Sequence, residues 1–223
     1  ATKIDTSTRV DFRNWYTLTI DGSDAKDLDD AISIRQEKNG DYTLAVHIAD
    51  VAEYVSEWSA IDREAILRAT SIYTPWKVIP MLPEILSNDL CSLHPGTMKL
   101  TLSCVMLLDP KWYVKHTDIV EGIIESQHRG VYDDIYKIME NNPLHKWWSE
   151  WTQRGLGEET VWVRWEKENS WAERASFSDP NAFGTFGNKS TENGVWLYES
   201  IAIAKKLYHI LEKRRRKEGK ITF

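Results

Sequence analysis

Five aspartates crowd one short stretch of the chain, TIDGSDAKDLDDAIS: Asp21, Asp24, Asp27, Asp29 and Asp30. So many anions in one place are unfavourable unless water solvates them or a cation neutralises them. Hard oxygen donors with no His or Cys among them suit Mg²⁺ or Mn²⁺ rather than zinc. A solvated Asp-rich turn is the competing reading, because Asp favours turns. A calcium loop of the EF-hand type fails in every register, since the alternating Asp/Asn, the Gly and the distant Glu do not line up.

The elements around the run suggest how it would be held. WYTLTI (15–20), AISIR (31–35) and YTLAVHI (42–48) are short, β-branched or aromatic, and bounded by turn residues, as strands are. The acidic run then lies on a loop between two strands, a common place for a site. Asn39-Gly40-Asp41 signals a hairpin between the second and third strands. AIDREAILRA (60–69) has helical spacing, with Ser59 as its N-cap. YTPWKVIPMLPE reads as irregular, with a helical turn after Pro83. LTLSCVMLL (100–108) and YVKHTDIVEGIIE (113–125) form a second strand pair joined at Asp109-Pro110-Lys111, and YDDIYKIME (132–140) suits a short helix. Leu197, Ile201, Ala204, Tyr208 and Leu211 mark one face of a last helix, with Lys213 to Lys217 in its final turn. The expected class is α+β: an antiparallel sheet or partial barrel with packed helices.

Composition narrows the partners. The 223 residues are enough for one sizeable core, and no run of about 18 apolar residues would cross a membrane. No secretory signal is visible, and Cys91 and Cys104 sit among apolar residues, so buried thiols and a cytoplasmic setting are expected. The net charge of −6 argues against nucleic acid when taken as a sum. Its distribution argues otherwise, because residues 195–223 hold eight Lys/Arg against three Glu. Eleven tryptophans stand out, seven of them between Trp147 and Trp196.

Taken with its neighbours, the run resembles the signature of the ribonuclease II / ribonuclease R family. The family pattern is Asp, five residues, Asp, one residue, Asp-Asp, matched here by Asp21, Asp27, Asp29 and Asp30, with Asp24 outside it. DFRN (11–14), VHIADV (46–51), YTPWKVIPMLPEILSNDLCSL (73–93), LTLSC (100–104), RGVYDD (129–134) and EGKITF (218–223) also resemble family sequence in family order. Such an ordered set is more specific than any single short motif.

The resemblance implies a Mg²⁺-dependent hydrolytic 3′-to-5′ exoribonuclease of the ribonuclease II type. It would act processively on single-stranded RNA and release nucleoside 5′-monophosphates. Asp21 and Asp30 would chiefly bind metal, and Asp27 and Asp29 would complete the site, with Asp29 nearest the chemical step. Tyr73 and Phe223 would sandwich the 3′-terminal bases, Tyr132 would pack beside the departing nucleotide, and Arg129 would meet a phosphate. Asn88, Cys91 and Ser92 are read as structural support, His47 as a packed histidine, and Arg214 to Arg216 mostly as a solvated helix end. The implied organisation is residues 1–140 as the first part of the RNB catalytic domain, 141–194 as a Trp-rich insert, and 195–223 as a basic helix and clamp segment. A monomer is expected, with the insert a candidate surface for RNA-decay partners. The alternative is a non-catalytic RNA-binding or interaction module that keeps the fold.

Two departures qualify the resemblance. The family's catalytic domain continues further, so a fragment with little activity alone is expected. Trp58 and Trp112 stand at Gly-like positions, and Trp76 stands where small or polar residues are common. A Gly site often needs φ > 0, which Trp adopts poorly. Codons read as Gly in the source and as Trp here are one explanation, and divergence is the other. Under the first, Trp58 and Trp112 strain their turns.

Overall fold

Alternating apolar and polar residues from Leu18 to Leu108 build the central strands of one open sheet. The computed structural model describes residues 6–141 and 191–217. The strands are β1 (Val10–Asp11), β2 (Leu18–Asp21), β3 (Asp30–Gln36), β4 (Tyr42–Ala49), β5 (Ile72–Tyr73), β6 (Val78–Ile79), β7 (Met98–Leu108), β8 (Val114–Glu125) and β9 (His128–Val131). The helices are α1 (Ala60–Arg68), α2 (Tyr132–Asn141) and α3 (Thr191–Lys217). Seven strands pair in the order β1-β8-β7-β4-β3-β2-β9, and β5 pairs with β6 in a separate hairpin. The sheet stays open, and the fold is α+β.

The sheet is mixed rather than purely antiparallel. The β3–β4 and β7–β8 hairpins follow the sequence expectation, but β1 pairs parallel to β8 and β9 pairs parallel to β2. Gly40, at φ 85°, turns the first hairpin. In the second, the Asp109 carboxylate accepts from the N–H of Lys111 and of Tyr113, both at 2.8 Å. Gly130 lets β9 lie close, since a Cβ there would sit 2.9 Å from the Thr19 carbonyl and from Ile135.

Both faces of the sheet carry packed clusters, while the first half of β8 is exposed. On one, Phe12, Leu28, Ala31, Ala49, Leu86, Cys91, Leu93 and Ile124 form a core under the acidic loop and the 86–93 segment. On the other, α2 and α3 bury Leu18, Ile135, Ile138, Leu197 and Ile201, and a third cluster joins Ile34, Tyr42, Leu108 and Trp112. Both cysteines are free thiols. Among the described residues no helix is long and apolar enough to cross a membrane.

Several expectations change. The proline-rich stretch is not wholly irregular: it forms the β5–β6 hairpin, closed where Thr74 N donates to the Lys77 carbonyl at 3.0 Å. After Pro83 the helical turn is the wide, i-to-i+5 kind over Leu86–Leu90, with Cys91 N on Leu86 O at 2.8 Å. The apolar face of α3 also drifts. Leu197 and Ile201 are buried as expected, but Ile203, Leu207 and Ile210 continue the contact while Tyr208 and Leu211 are exposed. The expected row averages about 3.5 residues per step against about 3.6 per turn and so barely drifts. The buried face changes because α3 passes from the α2 cluster onto the Ile34–Tyr42–Leu108–Trp112 cluster, which takes a neighbouring face of the helix. Arg214 is not a solvated end: it donates to the carbonyls of Trp112 (3.2 Å) and Lys111 (2.6 Å) and lies over Tyr113.

Trp58 and Trp112 have φ of 62° and 64°, the left-handed region that the Gly-like reading anticipates. Their side chains differ sharply, since Trp58 is 65% exposed and Trp112 only 2%. Most of the 141–194 insert, together with Phe223 and EGKITF, lies outside the described residues.

Candidate active site

The acidic loop leaves β2 at Asp21 and enters β3 at Asp30. Its one large apolar residue, Leu28, is fully buried and works as a plug in the core. In an extended stretch successive side chains alternate, so an inward Leu28 turns Asp27 and Asp29 outward together. Ser92 fixes the plug from the opposite segment. Its hydroxyl donates to the Lys26 carbonyl (2.9 Å) and accepts from Leu28 N (3.0 Å), and Leu93 N donates to Leu28 O at 2.8 Å. The expected supporting role of Ser92 thus has a definite geometry. At the exit, Ala49 N donates to the Asp29 carbonyl at 2.9 Å.

The carboxylates sense one another. Burial pushes the Asp21 pKa up, and the charges of Asp30 and Asp27 add to that push while Arg129 opposes it. Asp29 is raised by burial, then by Asp27, Asp30 and Asp21. One Asp21 oxygen, Oδ2, is buried without a hydrogen-bond partner among the described residues. A buried unpaired carboxylate oxygen is costly in the absence of a cation or donor. It is an acceptor of the kind a hard cation takes. Among the described residues no group of three or more His, Cys, Asp or Glu forms a ready metal site.

The expected RNA-contacting residues sit around this loop to different degrees. Tyr73 is 69% exposed on the β5–β6 hairpin, and its hydroxyl approaches Asp27 Oδ2 at 3.5 Å. The Asp27 charge raises the Tyr73 pKa, with burial second. Tyr132 opens α2 directly after Val131, which is opposite Asp21 in the β2–β9 register, and its side chain is exposed. Arg129 turns toward the acidic loop: Nη2 donates to the carbonyls of Ala25 (2.7 Å) and Ser23 (3.2 Å). His47 is fully buried between the hydroxyls of Ser33 (3.1 Å) and Ser103 (2.8 Å), a packed histidine as expected. Sequence reasoning missed the Leu28 plug, although a lone Leu inside an acidic run was its visible signal.

An open mixed sheet, backed by helices and carrying an aspartate loop between two strands, defines a class, and the RNB domain model matches residues 9–223: the chain belongs to the RNB domain family. Within it the chain is similar to ribonuclease R 1 of Lactococcus lactis, at 38% identity over 96% of this chain and 21% of the relative. It is 51% identical to ribonuclease R of Mycoplasmopsis pulmonis over 61% of this chain and 19% of that protein. Among solved structures, Mycoplasma genitalium RNase R in complex with double-stranded RNA superposes with a TM-score of 0.59 at 38% identity, covering 63% of this chain and 26% of that one. Yeast Ssd1, a pseudonuclease, superposes with a TM-score of 0.56 at 26% identity, covering 60% of this chain and 17% of that one. The chain spans about a fifth of the length of the curated relatives it matches.

Proposed function

We propose that this chain carries the metal-holding part of a 3′-to-5′ exoribonuclease centre that acts processively on single-stranded RNA and releases nucleoside 5′-monophosphates. The observation that carries the reading is the loop Asp21–Asp30, anchored by Leu28 and Ser92, with a buried Asp21 oxygen that accepts no hydrogen bond among the described residues and with exposed Tyr73 and Tyr132 beside it. Asp21, Asp27, Asp29 and Asp30 would hold Mg²⁺ or Mn²⁺. Bound there, divalent ions would supply the charge that activates water and stabilises the leaving 3′-oxygen of an in-line displacement. Asp29 is exposed and would act nearest the chemical step. Tyr73 offers a ring for a terminal base, and stacking of this kind tolerates any sequence. Phe223 would take the opposite side of that clamp, and Tyr132 the departing nucleotide. The similarity to a ribonuclease R solved with RNA supports RNA as the ligand.

The second reading is a non-catalytic RNA-binding module. The likeness to a pseudonuclease favours it. The deciding experiment is calorimetric Mn²⁺ titration of the chain and of Asp21→Asn, run beside decay of 3′-labelled RNA in Mg²⁺. Millimolar or tighter binding that disappears in Asp21→Asn supports the nuclease reading. Absence of both metal binding and RNA decay overturns it in favour of the second.

A further inference from the structure

Arg129 stands more than a hundred residues along the chain from the acidic loop, yet the sheet brings them together. The parallel β2–β9 register sets Thr19 opposite Arg129 and Asp21 opposite Val131. Arg129 and Asp21 therefore project from the same face of neighbouring strands, two positions apart. Gly130 makes the close approach possible, because any Cβ there would collide with the Thr19 carbonyl and Ile135. From this position Nη2 binds the carbonyls of Ser23 and Ala25, the first half of the loop. Ser92 binds the second half, at Lys26 and Leu28. The loop is clamped from two sides by two unrelated segments. The Arg129 Nε is buried and, like Asp21 Oδ2, has no hydrogen-bond partner among the described residues.

We propose that Arg129 is a positioning residue of the acidic loop: through the Ser23 and Ala25 carbonyls it fixes the path that sets Asp21 and Asp27 about one cation site, and it ties that path to β9 and so to Tyr132. The consequence for the metal rests on the nuclease reading above; the clamp itself does not. Two other roles compete. As a mere counter-charge, Arg129 weakens cation binding by repulsion. As a phosphate ligand it acts on RNA alone.

The roles have opposite signatures. The test is amide hydrogen exchange in the metal-free chain together with Mn²⁺ calorimetry, on wild type, Arg129→Gln and Arg129→Lys. Loss of a charge-assisted hydrogen bond to the loop should speed exchange at Ala25, whose N–H is held by Gly22, by about tenfold or more. Leu28, still held by Ser92, should exchange at its wild-type rate. Mn²⁺ binding should weaken by about tenfold in Arg129→Gln and recover in part in Arg129→Lys, which keeps the charge and an N–H donor group but not the planar fork. Tighter Mn²⁺ binding with unchanged Ala25 exchange overturns the proposal and leaves a counter-charge. Unchanged exchange with weaker RNA binding overturns it in favour of a phosphate contact. Faster Ala25 exchange in a chain that binds no Mn²⁺ keeps the clamp and removes the nuclease reading. If Arg129→Gln does not fold, Arg129→Lys alone is read for partial loosening at Ala25.

Discussion

Trp112 stacks on Tyr42 with ring centroids 4.0 Å apart and planes 16° apart, while its own backbone sits in the left-handed region at φ 64°. Packing holds a conformation that the residue disfavours. The left-handed region costs a non-Gly residue roughly 1–2 kcal/mol. Burial of a large aromatic is worth more, about 3–5 kcal/mol by truncation. The Trp112 Nε1 is buried without a partner among the described residues, which reduces that gain.

Trp58 has the same backbone and an exposed ring, so the two positions should respond in opposite directions to glycine. Trp58→Gly should raise stability by about 1 kcal/mol, and Trp112→Gly should lower it by about 1–2 kcal/mol. Urea unfolding of both variants checks this. Stabilisation by Trp112→Gly as well would mean that the stack contributes nothing and that both are glycine sites. Intact mass of the protein from its source then tells recoding from divergence.

Ser92 is the one side chain bonded to the backbone of the Leu28 half of the loop among the described residues. Ser92→Ala leaves a buried N–H and carbonyl short of a partner, and should cost about 1–3 kcal/mol. Thermal unfolding reads the stability and Mn²⁺ calorimetry reads the site. A fully stable variant would show that Leu28 packing alone anchors the loop.

His47 gives a pH signature. Burial lowers its pKa from 6.5 to about 4. Between these values the unfolded chain binds the proton and the native one does not. Stability from this group is therefore complete above pH 6.5 and declines as pH falls toward 4, by up to about 3 kcal/mol. Asp21 and Asp29 act with the opposite sign. Their raised pKa values mean that the metal-free fold gains stability as pH falls through those values toward the usual 3.8. Urea unfolding at pH 7, 6, 5 and 4 should show a decline in wild type that is flattened in His47→Leu and deepened in Asp21→Asn. An identical profile in all three would contradict the assignment.

Tyr73 is far more exposed than a core aromatic. Tyr73→Ala should weaken single-stranded RNA binding by about 1–3 kcal/mol, and Tyr73→Phe, which keeps the ring, by much less. Fluorescence anisotropy with a short labelled RNA measures both. Equal loss in the two variants would assign the effect to the hydroxyl near Asp27 rather than to stacking.

Much of this molecule follows from local order in the chain. The alternation in β3, β4 and β7 set the sheet, and Asn39-Gly40 set its first hairpin. Ser59 capped α1 by accepting from Asp62 N, as its type implies. The acidic run was visible because its aspartates lie within one contiguous segment. The four residues of β9, HRGV, were not visible, because they carry neither alternation nor an apolar run. Their parallel pairing with β2 is made by backbone groups that every residue possesses, so no side-chain pattern announces it.

The sequence by itself determined that the four aspartates lie in one short run with Leu28 among them. Only the tertiary structure decided what holds them: Ser92 on one half of the loop, and Arg129 on the other. The physical reason is range. Periodicity and turn chemistry act over a few residues, while a guanidinium reaching carbonyls more than a hundred residues away depends on strand order, register and the missing side chain of Gly130.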